Sequence, residues 1–91
     1  MRARRVDVVD EYIEDGRAAV YSEAGVVVLL SELATVAWLV LDAEWSSAES
    51  VAVELVKAFG SPETGDGALT VTESALRTLA AHGIVEVDDS A

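Results

Sequence analysis

Four carboxylates crowd one short stretch of this chain: Asp10, Glu11, Glu14 and Asp15. Paired carboxylates divide acid and base roles when a pocket drives their pKa values apart. These four flank a turn signal, Asp15-Gly16, and their spacing suits a solvated edge. The single histidine, His82, ends an amphipathic stretch just before Gly83. An imidazole there caps a helix, and its charged form suits the negative end of the dipole. No nucleophile elbow accompanies it, so a Ser-His-Asp system is not expected. Glu63-Thr64-Gly65-Asp66-Gly67 has a superficial likeness to a calcium loop, but lacks the alternating acids and closing Glu of an EF-hand. The chain has no Cys, which removes thiolate ligands, Cys nucleophiles and disulfides and is compatible with a cytoplasmic protein. No glycine-rich phosphate loop is present. The expectation is therefore no catalytic residue, no metal, no cofactor: a binding protein, not an enzyme.

Charge narrows the partners. The 91 residues carry a net charge of −11, and three of the six basic residues lie in the first five positions. The rest of the chain is more acidic still. Such a surface repels nucleic acid and anionic membranes and attracts a basic or neutral segment; it also serves plain solubility. A hydrophobic content of 52% permits a real core and argues against disorder. The length fits one small domain. Ser31-Glu32 splits the longest apolar run, so no membrane span is expected. Asp7, Asp10 and Glu11 follow Arg2, Arg4 and Arg5 where a signal peptide would turn apolar.

The elements that must position these residues follow from periodicity. Met1–Arg5 reads as a frayed basic tail and Asp88–Ala91 as a second tail. Val6–Glu14 has broken alternation and reads as one strand with a bulge or as two short pieces. Asp15-Gly16 predicts a type I′ hairpin, since both residues tolerate positive φ. Arg17–Tyr21 is the return strand. After the turn Ser22-Glu23-Ala24-Gly25, the β-branched run Val26-Val27-Val28-Leu29-Leu30 predicts a third strand. Ser31 is a candidate N-cap and Glu32 suits the first turn of a helix over about 32–42. From Leu33 to Leu41 only Thr35 is polar, as in a helix buried nearly all round.

Ser46-Ser47-Ala48-Glu49 matches a capping box. The helix after it carries Ala48, Val51, Ala52, Leu55 and Phe59 on one stripe. Gly60 and Pro62 stop it, and Ser61–Ala68 reads as a loop. Thr70-Val71-Thr72-Glu73 matches a second capping box. The third helix, about 71–82, should bury Ala75, Leu76 and Leu79 and end at Gly83. Ile84-Val85-Glu86-Val87 reads as a short closing strand. Trp38 is expected in the core. Trp45, between helices, is either a lid on the core or an exposed anchor.

Tyr21-Ser22-Glu23-Ala24-Gly25-Val26-Val27-Val28-Leu29-Leu30 resembles the "YPEG-apolar-L-N" segment of PqqD-like proteins. Those are RiPP recognition elements, which hold the leader peptides of ribosomally made, enzymatically modified peptides. Ser31 stands where that family often has Asn. Leu33-Ala34 through Trp38 to Leu41-Asp42 resembles its "A…I/W…LLDG" helix. The resemblance covers about residues 6–87. Ser22 replaces the usual Pro, and Asp42-Ala43-Glu44-Trp45-Ser46 replaces a compact corner.

The element order makes an α+β fold. The resemblance implies a winged-helix-like packing: a three-stranded antiparallel sheet, then a three-helix bundle and a short C-terminal strand. It also implies a stand-alone peptide chaperone that presents a precursor's leader to a peptidase, cyclase or radical SAM enzyme. The leader would add as a strand along Val26, Val27, Val28, Leu29 and Leu30 and pack against Leu76, Arg77 and Ala80 on the third helix. Arg77 would pair with an acidic leader residue or form an ordinary surface ion pair. Two other readings stand beside this one. One is a small acidic regulatory homodimer that pairs its own edges. The other is a winged-helix DNA binder whose third helix would present Thr72, Glu73, Arg77, Thr78 and Ala81 to the groove.

Overall fold

The computed structural model describes residues 1–61 and 67–89. Its first element corrects an expectation. Arg2–Arg5 forms strand β1 instead of a frayed tail. It lies between two antiparallel neighbours in one sheet, β5 (Ser46–Ser47) and β6 (Val85–Asp88). Ala3 is fully buried, and the arginines around it meet acids across the strand pair. Arg2 donates to Asp88 at 2.8 Å and Arg4 to Glu86 at 3.0 Å. The basic character that reads as a tail thus complements an acidic closing strand, an opposite-charge cross-strand pairing. The expected C-terminal tail is also shortened. Asp88 belongs to β6, Asp89 pairs with Arg77, and residues 90–91 lie outside the described residues.

The second sheet has the expected order. β2 (Val8–Glu14) and β3 (Arg17–Ser22) form a hairpin, and β4 (Val27–Leu29) lies on the far side of β3. Asp15 and Gly16 hold φ of 54° and 77° at the turn. The broken alternation before the hairpin is one strand with an irregularity between Val8 and Asp10. At the second turn Ser22 holds the chain by bonding: its carbonyl accepts from Gly25 and its Oγ from Val26.

Three helices pack on one another beside the sheets. Helix α1 (Glu32–Val40) is capped by Ser31, whose Oγ accepts from the Ala34 N–H at 3.1 Å. Thr35, its one uncharged polar residue, is buried, and its hydroxyl accepts the Ala18 N–H of β3 at 2.9 Å. That bond places α1 against the sheet. The helix is not buried all round: Leu39 is 48% exposed, because so small a domain covers only part of its circumference.

Helix α2 (Ala48–Phe59) takes Ser47 as N-cap, one residue later than the capping-box reading, because Ser46 pairs with Ala3 in β5. Phe59, at the end of its stripe, is exposed. Gly60 ends it with φ 81°, while Pro62 lies outside the described residues. Helix α3 (Ala68–Ala81) begins three residues before the expected start, with Gly67 as N-cap and no side-chain cap bond. The second capping box does not form. Thr72 instead lies inside the helix, 1% exposed, with its hydroxyl donating to the Ala68 carbonyl, the back-bonding open to Thr within a helix. Leu76 and Leu79 are buried as expected, while Ala75 is only half-buried. Val20, Trp38, Val51, Leu76, Leu79 and Ile84 join one core. The fold class is as expected, α+β, with the β5–β1–β6 sheet added.

Candidate peptide-binding edge

The alternation of the antiparallel ladder decides which backbone groups of β4 are free. Leu30 N–H donates to the Ala18 carbonyl at 2.8 Å, and Ser22 N–H donates to the Val26 carbonyl at 2.9 Å. Val28 stands opposite Val20 midway between them. Residues 26, 28 and 30 therefore turn their backbone groups toward β3, and Val27 and Leu29 turn theirs away. No strand among the described residues pairs with that outward side, and β4 is the edge of its sheet. An edge of this kind is a template for a further strand.

The side chains divide in the same way except at Val26. Val28 and Leu30 are buried, next to α1 and the rest of the core. Val26, Val27 and Leu29 are 55%, 55% and 75% exposed. A strand laid along β4 would meet an apolar border at Val27 and Leu29. Periodicity marked 26–30 as one run, and only the register separates the core-facing residues from those on the edge.

The three residues expected on the third helix differ in exposure. Leu76 is fully buried among core residues and cannot line an open groove. Ala80 is half-buried. Arg77 lies on the outer face of α3 and is held by Asp89, Nη1 to Oδ2 at 3.0 Å and Nη2 to Oδ1 at 3.2 Å. Donating to the Asp89 carboxylate, and then the charge of that carboxylate, raise the guanidinium pKa above its ordinary value. Helix α3 packs on α1, α2 and β6, so the Arg77 face is directed to the β6 end. Of the residues expected at the site, Val26–Leu30 lie on and beside β4, while Leu76, Arg77 and Ala80 lie on α3.

The other residues singled out in the sequence also find places. Glu11 accepts the Trp38 indole N–H at 2.6 Å and so ties β2 to the core. Trp45 lies under two guanidinium groups, Arg2 at 4.7 Å and Arg4 at 4.5 Å from the ring centre. Both guanidinium groups come from β1, the segment expected as a tail. His82 is the exposed C-cap residue of α3. The loop likened to a calcium site, 63–67, lies outside the described residues except for Gly67. No helix among the described residues is long and apolar enough to cross a membrane.

What periodicity missed are Tyr12, Ala19 and Tyr21, which share the outward sheet face with Val27 and Leu29. Their signal was the alternation of β3, in which Arg17, Ala19 and Tyr21 occupy one face. No family model, curated protein or solved structure matches this chain.

Proposed function

We propose that this chain is a peptide-binding module that takes an extended segment as an added strand on β4. The observation that carries the reading is the outward pair Val27 and Leu29, with free backbone groups and exposed apolar side chains on one unpaired edge. Main-chain bonds give such a complex its affinity, and alternate side chains give its selectivity. The resemblance to PqqD-like proteins suggests the peptide class: the leader of a ribosomally made precursor, handed to a modifying enzyme in the cytoplasm. A winged-helix packing belongs to the same resemblance.

The rival readings are weaker on physical grounds. Two copies joined at β4 would bring together chains of net charge −11, which repel. As a groove reader α3 loses Thr72 to the core, and its Arg77 is already paired. The test is chemical-shift mapping with the leader segment of a precursor encoded beside this gene. Val27, Leu29 and their neighbours should move. Perturbations confined to the Asp15-Gly16 hairpin or to α3 would place the site elsewhere, and saturable binding to mixed duplex DNA at about 0.15 M salt would replace the reading altogether.

A further inference from the structure

No described residue covers the face of the β2–β3–β4 sheet opposite α1. Tyr12, Tyr21, Val27 and Leu29 stand on it, 64%, 43%, 55% and 75% exposed. Ala19 lies at the centre, opposite Tyr12 on β2 and Leu29 on β4. Its single methyl leaves a dip among longer neighbours. Two shallow depressions of about 220 and 200 Å³ adjoin it. The second is walled by Tyr12, Tyr21 and Val27, with Asp10 at its rim.

Exposed apolar patches of several hundred Å² mark interaction surfaces, and the charges here select the occupant. Two tyrosine rings beside a carboxylate make a receptor for a cation. The ring faces attract a guanidinium or ammonium, the aliphatic stem packs on apolar surface, and the head reaches an acid for a charge-assisted bond. The chain already uses this chemistry internally, with Arg2 and Arg4 over Trp45 and Arg5 over Trp38.

The cation for the slot must come from outside. All six basic side chains already have partners: Arg2 with Asp88, Arg4 with Glu86, Arg5 with Trp38, Lys57 with Glu54, Arg77 with Asp89, and Arg17, which lines the first depression but not the second, with the Leu30 carbonyl. A second copy of this chain would bring Asp10, Glu14 and Asp15 against their like.

We infer that this sheet face docks a partner protein through a protruding arginine or lysine seated between Tyr12 and Tyr21 with its head on Asp10, and with an apolar neighbour over Ala19 and Leu29. The slot is made by side chains and the β4 edge by backbone, so the two sites are separable. They adjoin at Val27 and Leu29, so a strand added to β4 would widen the docking face.

The test titrates labelled protein with a short peptide of alternating arginine and valine, against one of alternating glutamate and valine. The arginine peptide should shift Tyr12, Ala19 and Tyr21, and its binding should fall as salt rises. Asp10→Asn should weaken it about threefold, and Ala19→Arg, which fills the slot with an internal cation, more than about tenfold. A neutral threonine–valine peptide should reach the β4 edge and be indifferent to both variants, so loss of edge binding and loss of slot binding read separately. Equal binding of the glutamate peptide at these residues, indifference of the arginine peptide to both variants, or concentration-dependent self-association through this face would overturn the inference.

Discussion

The indole of Trp38 donates to Glu11, Nε1 to Oε2 at 2.6 Å. Trp38 is 1% exposed, so its N–H needs a partner. Arg5 completes the cluster: its guanidinium lies 4.2 Å from the ring centre, its Nε donates to the Trp38 carbonyl at 2.7 Å, and its Nη1 is 3.8 Å from Glu11. Strands β1 and β2 thus meet α1 at one ring. Glu11→Gln keeps an acceptor and should cost under about 1 kcal/mol. Glu11→Leu orphans the indole N–H and should cost about 1–3 kcal/mol in urea melts. Equal effects of the two would show that the bond carries no stability.

Ala3 tests the structural role of the N-terminal segment. It is fully buried between β5 and β6. Ala3→Asp buries a carboxylate beside the core and should lower stability by more than about 2 kcal/mol. Thermal unfolding monitored by circular dichroism gives the answer. A mutant melting like the parent would mean that residues 2–5 behave as a tail.

Proline separates binding from folding on β4. Val27 points its N–H at the open edge, so Val27→Pro removes a donor that the ladder does not use. The fold should persist while affinity for an added-strand peptide falls at least about tenfold. Val28 points its N–H at β3, so Val28→Pro removes a ladder bond and should cost more than about 1 kcal/mol of stability. The same loss of binding from a folded Val27→Leu control would mean that the side chain, not the backbone donor, is what the peptide reads.

Arg77 distinguishes a groove residue from a surface pair. Its partner Asp89 is exposed, as it is itself. Arg77→Glu should cost less than about 1 kcal/mol and change affinity at β4 by no more than about twofold. A tenfold loss in an isothermal titration with an acidic peptide would bring α3 back into the site.

Local chemistry determined much of this fold. Asp15-Gly16 made the hairpin, Ser31 capped α1, and Gly60 and Gly83 took positive φ at the ends of their helices, because each depends on neighbours a few residues away. The run 26–30 was legible as a strand for the same reason. Tertiary structure decided what depends on distant partners. Arg2–Arg5 became a strand only because Val85–Asp88 and Ser46–Ser47 were there to pair with it. Those arginines then gave Trp45 its place. Leu76, expected on a groove wall, was drawn into the core where α3 meets α1 and α2. Which of five similar apolar residues face the open edge was fixed by the register of β4 on β3, since a shift of one residue exchanges the two faces of a strand.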